Sequence, residues 1–108
     1  MSEQILAMQC YQVQVSEFNN NFLLSKNSFE KELLRIIITK GLSMRPRIDT
    51  VVFFPPTLTC AERHRLHTYG EKDKISSRTR VKNEFRSIAI TLKPKHVINI
   101  VEKYYYGV

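Results

Sequence analysis

Arg63 and His67 stand four residues apart in the string Arg63-His64-Arg65-Leu66-His67. On a helix that spacing brings both side chains to one face. A guanidinium offers a planar fork of donors to a phosphate or a base edge, and an imidazole can stack, donate to a phosphate, or gain charge beside one. Lys74 joins that face if the helix extends far enough. Arg78, Arg80, Lys82 and Arg86 follow as a run of further cations. The chemistry this set suggests is capture of an anion. His64 and His96 lack such company and are read as solvated surface residues.

Catalysis finds less support. Hydrolysis of phosphodiesters calls for clustered carboxylates that hold metal ions, and the acids here are scattered among cations. Cys60, His64 and His67 have spacings that suit metal ligands, but no fourth ligand accompanies them, so no metal is expected. A Gly-rich phosphate loop of the Walker type is missing from the sequence, and neither nucleotide hydrolysis nor a cofactor is expected.

Charge points the same way. The net charge is +7, yet residues 56–95 hold ten Lys/Arg against four Asp/Glu, leaving +1 for the other 68 residues of the chain. A field concentrated in this way attracts a polyanion; the plainer alternative is a solvated face that keeps a small domain soluble. With 108 residues, 43% of them hydrophobic and 25% charged, the chain has the length and composition of one globular domain. Its longest apolar runs, Ile36-Ile37-Ile38 and Val51-Val52-Phe53-Phe54, are far below the roughly 18 residues of a membrane span. Met1-Ser2-Glu3-Gln4 has no secretory character, and Cys10 and Cys60 suit two reduced thiols. A nuclear or cytoplasmic location is therefore expected, with no membrane association.

The elements that must position the cations are legible from about residue 26. Asn27-Ser28 reads as a helix start, with Glu30 and Glu32 in the first turn. Phe29, Leu33, Ile36 and Ile37 form its apolar stripe, and Lys40-Gly41 closes it. Pro46, between Arg45 and Arg47, interrupts regular structure. Val51-Val52-Phe53-Phe54 then has strand composition that Pro55-Pro56 must stop. Thr59 is placed to cap a second helix, and Glu62 completes a capping box. That helix runs to about Lys72, with Ala61, Leu66 and Tyr69 toward a core and Gly70 weakening its last turn. Ile75–Arg80 and Arg86–Leu92 read as strands, joined by a charged turn from Val81 to Phe85.

The two ends of the chain are less plain. Past Pro94, the residues Val97, Ile98, Val101, Tyr104 and Tyr105 have helical spacing as far as Gly107. This helix is expected to pack back on the domain. Tyr104-Tyr105-Tyr106 suits a core or, alternatively, a stacking surface for bases. At the other end, Tyr11–Val15 alternates as a short strand and Asn19-Asn20-Asn21 reads as a break.

The string around Arg63 and His67 resembles the R-three-H domain family, whose name describes an Arg and a His separated by three residues. Phe54-Pro55-Pro56-Thr57-Leu58 matches the family's entry, and Glu62 matches its acid before the Arg. Ile75 and Ser77 match the apolar residue and the Ser downstream of the His, and Arg86, Ile88 and Ile90 match the basic and alternating positions that follow. These matches are ungapped and cover about residues 50–92. Two departures stand out: Arg78-Thr79-Arg80-Val81-Lys82 contains no Gly where the family has Ser and Gly in its turn, and Tyr69-Gly70 replaces small or aliphatic residues. Tyr69 is then either core or a stacking platform.

The resemblance implies an α+β fold in which helices pack on one side of a three-stranded antiparallel sheet, here with an extra C-terminal helix. Residues 1–25 would be an N-terminal extension whose order is left open, residues 26–94 the R-three-H-like domain, and residues 95–108 a helical tail. It also implies a non-catalytic, monomeric module that binds single-stranded RNA or DNA with weak sequence preference, using Arg63, His67 and Arg86. Helicases, nucleases and other RNA-processing proteins are the neighbours it implies. Lys74, Arg78, Arg80 and Lys82 would add capture of the backbone through a cationic turn. The rival from another class is a protein-interaction module that docks on an acidic partner.

Overall fold

A computed structural model describes residues 10–16, 20–42 and 47–106, without the side chains of Asn20, Lys82, Tyr105 and Tyr106. Pro46, Arg45, Asn19 and Gly107, which figure in the expected breaks, lie outside the described residues.

The chain forms β1 (Cys10–Gln14), a 3-10 turn (Asn20–Leu23), α1 (Lys26–Thr39), β2 (Asp49–Phe53), α2 (Cys60–Lys72), β3 (Ser76–Lys82), β4 (Phe85–Leu92) and α3 (Pro94–Val101). A π-helical turn, Glu102–Tyr106, continues α3. The sheet has the order β1-β2-β4-β3. The expected three-stranded antiparallel sheet is present as β2, β4 and β3, and the correction is a fourth strand: β1 pairs in parallel with β2, making the sheet mixed. Parallel neighbours need a long crossover, and α1 supplies it. The alternation of Tyr11–Val15 signals a strand in the sequence; its partner is set by where α1 returns the chain.

Pairing defines the two faces. Val13, Val52, Ile90 and Ser77 lie in one row across the four strands, and Gln14, Phe53, Ala89 and Arg78 in another. The first row faces the helices: Val13, Val52, Ile88, Ile90 and Leu92 join Phe29, Leu33, Ile36, Ile37, Leu66, Val97 and Ile100 in one core. Fully burying a side chain such as Phe29 or Leu66 stabilises the fold by about 2–3 kcal/mol, so this layer dominates its energetics. Val15, Phe22 and Leu23 are buried there too, which ties the residues before α1 into the domain. Among the described residues no helix lies on the opposite face, and its residues Gln12, Gln14, Arg78 and Arg80 are exposed.

The α1 boundary differs slightly from expectation. Ser25 is the cap and accepts from the Ser28 amide at 3.1 Å. Glu30 and Glu32 are buried instead of simply favouring the helix dipole. Glu30 Oε1 accepts from Lys103 Nζ at 2.9 Å and from the Tyr104 hydroxyl, and Lys26 approaches its other oxygen at 3.5 Å. Burial raises the Glu30 pKa, but hydrogen bonds from Asp73, Tyr104 and Lys103 and the Lys26 charge outweigh it and hold the carboxyl at about 2. The C-terminal turn therefore docks on α1 through a buried carboxylate. Tyr104 belongs to this core margin, where its hydroxyl shares its one proton between Glu30 and Asn27 Oδ1, the latter 2.6 Å away.

Three further expectations need correction. Ala61 is exposed, because the buried stripe of α2 consists of Leu66 and Gly70. Ile98 is 43% exposed, and Val97 and Ile100 carry the apolar face of α3. His96 is buried at 5% exposure, where its Nδ1 accepts the Lys93 amide at 3.0 Å and so closes the first turn of α3. A helix-starting residue three positions past the cap can satisfy that amide, and Lys93-Pro94-Lys95-His96 was the signal for it.

Candidate functional site

Helix α2 begins as the sequence predicts. Thr59 Oγ1 accepts the Glu62 amide at 3.1 Å, and the Glu62 carboxylate accepts the Thr59 amide at 2.8 Å. This box fixes the rotation of the helix, so that Leu66 enters the core while Arg63 and His67 lie half-buried at the margin of the sheet.

Arg63 Nη1 donates to the Leu58 carbonyl at 2.7 Å, tying the Pro55-Pro56 loop to the helix. Its remaining guanidinium donors are left for another acceptor. His67 bridges to β3: Nδ1 meets the Ser77 hydroxyl, and Nε2 lies 3.0 Å from the Thr79 hydroxyl. A neutral ring donates from one nitrogen and accepts at the other, and hydroxyls complement either tautomer. Burial pushes the His67 pKa down, and the nearby His64 and Arg63 charges add to this. The ring is thus held neutral at pH 7. His67 is a staple between α2 and β3, and its nitrogens are engaged within the fold.

Helix α2 runs antiparallel to β3, since the two are joined by a short turn. From His67 back to Arg63 the helix covers about 6 Å, or about two strand residues. Arg63 therefore stands level with Val81 and its cross-strand partner Arg86, which alternates with Ile88 and Ile90 toward the helix side. Register and helix direction put Arg63 and Arg86 on the same side of the sheet as His67. Ser77 contributes to this side by positioning His67.

Lys74 does not join them. Helix α2 ends at Lys72, and Lys74 has φ 60. Its amide bonds the Glu71 carbonyl and the Ile75 amide bonds the Gly70 carbonyl, at 3.0 and 2.8 Å. These two bonds form a Schellman motif that turns the chain away from the helix axis and carries Lys74 off the face of Arg63 and His67. A Cβ added at Gly70 would lie 3.4 Å from the Ile75 carbonyl oxygen, an ordinary contact, so the Schellman turn does not require glycine at that position.

Arg78, Arg80 and Lys82 lie on β3 itself, and the expected cationic turn is corrected to a cationic strand. The turn is the two-residue pair Asn83-Glu84, with φ 51 and 69. Both values are positive, as a type I′ hairpin requires, so the chain reverses tightly without the Gly that the family's pattern supplies. Alternation then separates the cations. Arg78 and Arg80 project from the open face, opposite to Arg63, His67 and Arg86. Lys82 holds a position on the same strand, and its side chain lies outside the described residues. The Arg80 guanidinium sits over the Phe53 ring, 4.9 Å from its centre. Phe53 is a residue that sequence reasoning missed; the Val51–Phe54 run identified a strand and left its exposed face unassigned.

The ion pairs gather around α1. Among the described residues, Lys26, Arg35 and Lys103 are paired with Glu30, Glu32 or Asp73. Among the described residues no such pair engages Arg63, Arg78, Arg80 or Arg86, nor Arg65, Lys72, Lys74, Lys93 or Lys95. Tyr69, left open between core and stacking, is core: its hydroxyl donates to the Leu23 carbonyl at 3.2 Å and its ring packs 5.9 Å from Phe29. No group of three His, Cys, Asp or Glu among the described residues is arranged to hold a metal ion. None of the described helices is long and apolar enough to cross a membrane.

The class these coordinates define is an α+β module with helices on one side of a mixed four-stranded sheet. No family model, curated protein or solved structure matches the chain.

Proposed function

We propose that this chain is a non-catalytic module that binds single-stranded nucleic acid along β3, the cationic edge strand of its sheet, in the manner implied by its R-three-H-like residues. The supporting observation is the gathering of Arg78 and Arg80 on β3, Arg86 on its paired strand and Arg63 on the adjoining helix, with no ion pair to any of the four among the described residues. Cations without carboxylate partners interact with a polyanion without first breaking an ion pair. Arg63 and Arg86 reach the backbone from the helix side of β3, and Arg78 and Arg80 from the other. His67 acts as a positioning residue that sets α2 against β3. Contacts of this kind read phosphates, so sequence preference is weak.

A titration with single-stranded RNA and DNA of equal length at two salt concentrations tests this. With four phosphate contacts at about −0.7 each in log K against log salt, a threefold rise in salt weakens binding about 20-fold. Absence of binding at low salt, or a flat salt response, would overturn the reading. The second reading, docking on an acidic protein, rests on Val81 and Phe85, which are 67% and 65% exposed at the hairpin end. It prevails if an acidic polypeptide displaces a bound probe and polynucleotide fails to do so.

A further inference from the structure

The open face of the sheet carries a row that pairing sets directly across all four strands: Gln14 on β1, Phe53 on β2, Ala89 on β4 and Arg78 on β3. Ala89 is 7% exposed and small, so the floor beside the Phe53 ring is low. Two shallow troughs of about 370 Å³ each meet there. One spans β2, β4 and β3; the other reaches from Phe53 over β1 toward Pro55 and Pro56, and both are lined by Phe53 and Arg80. The result is a continuous channel with an aromatic ring at its centre, two guanidinium groups on one side and the amides of Gln12 and Gln14 on the other.

We propose that this face is a base-stacking platform, on which a base of a single strand lies against Phe53 while Arg78 and Arg80 take the adjoining phosphates. This rests on the nucleic-acid reading above and adds a second, base-dependent contact on the side of the sheet away from Arg63 and His67. The chemistry favours a nucleic acid over an acidic peptide. Both would engage the guanidinium groups, but a planar base uses the ring, and the Gln amides offer donors and acceptors to base edges. The Arg80 contact with Phe53 marks the ring face as accessible to a flat group. A solvent-exposed cation–π contact is weaker than stacking of a base on an aromatic ring, so a base displaces the guanidinium, which is then free to meet a phosphate. An oligonucleotide tracking the β3 edge reaches both faces, because β3 alternates between them.

The test compares binding of an oligothymidylate of about ten nucleotides with an abasic deoxyribose-phosphate chain of the same length, using the whole chain at low salt. The base-containing strand should bind about tenfold more tightly or better, and Phe53→Leu should remove most of that increment while leaving the abasic affinity unchanged. Arg80→Gln, at an exposed position that folding does not require, should weaken both probes, and a 2-aminopurine in the strand should lose the fluorescence change that stacking produces when Phe53 is replaced. If wild-type protein binds both probes equally, or Phe53→Leu keeps the full base-dependent increment, the platform is overturned while phosphate capture stands. If neither probe binds wild-type protein, the nucleic-acid reading itself falls, and the platform with it.

Discussion

The His67 imidazole lies between two hydroxyls of one strand, with Ser77 at Nδ1 and Thr79 at Nε2, the latter 3.0 Å away. Two residues that the R-three-H resemblance aligns, a His on a helix and a Ser ten positions later, are thereby joined by a hydrogen bond. The neighbouring hydroxyl at Thr79 belongs to the stretch where this chain departs from the family's pattern.

This staple has a measurable energy. A net hydrogen bond contributes about 1 kcal/mol, and leaving a partly buried ring nitrogen unpaired costs about as much again. Ser77→Ala is therefore expected to destabilise the domain by about 1–2 kcal/mol in urea unfolding. A double-mutant cycle with His67→Leu should show a coupling energy of at least about 0.5 kcal/mol. Strict additivity would dissociate the two residues.

Acid should weaken the fold as its two buried or half-buried histidines, His67 and His96, take up protons. Burial lowers the pKa of His67 and of His96, the latter with help from Lys95 and Lys93 and against the Lys74 carbonyl and Asp49. Folded pKa values below the unfolded value mean that the unfolded chain binds more protons, so stability is complete above about 6.5 and declines as pH falls below it. Unfolding free energy measured at pH 7 and pH 5 should drop, and His96→Gln should reduce the drop. Equal stability at both values would contradict the burial of these rings.

Three non-glycine residues among those described occupy left-handed backbone, Lys74 at φ 60, Asn83 at φ 51 and Glu84 at φ 69. A side chain there costs about 1 kcal/mol relative to glycine. Lys74→Gly and Glu84→Gly should each raise stability by about that amount. Lys74→Gly also separates the surfaces: it should change nucleic-acid affinity far less than Arg86→Gln, because the Schellman turn removes Lys74 from the face of Arg63.

Salt dependence should follow the number of guanidinium groups. Replacing Arg63 and Arg86 together by Gln removes two phosphate contacts and should reduce the slope of log K against log salt by about 1.4. An unchanged slope would place the bound strand elsewhere.

The C-terminal turn depends on one carboxylate. Glu30→Gln removes the charge that receives Lys103, Tyr104 and Lys26 and should cost about 2 kcal/mol. Since the folded carboxyl is held near 2, its contribution is present above the usual carboxylate value of 4.5 and is lost as pH falls from there toward 2. The variant should show a flatter acid limb in that range and faster proteolysis near residue 102.

Sequence alone determined the local parts of this protein. The Thr59–Glu62 capping box, the stripe of α1 and the alternation of β4 depend on neighbours within a few positions, and propensity and periodicity record them directly. The Arg63–His67 spacing likewise placed those two residues on one face of a helix. Relations across the sheet were not recorded there. Whether Tyr11–Val15 pairs with β2, which side of β3 receives Arg78 and Arg80, and whether His96 is exposed all depend on residues distant in the chain. A strand shows its period in sequence but not its partner or which face will be covered. Asn83 and Glu84 illustrate the limit: a two-residue turn in place of a five-residue one sets the hairpin register, and register decides on which face each β3 cation lies. The pair first read as the binding centre is thus divided in role by tertiary structure. Arg63 keeps free donors at the surface, while His67 spends both nitrogens holding a helix to the strand that carries the other cations.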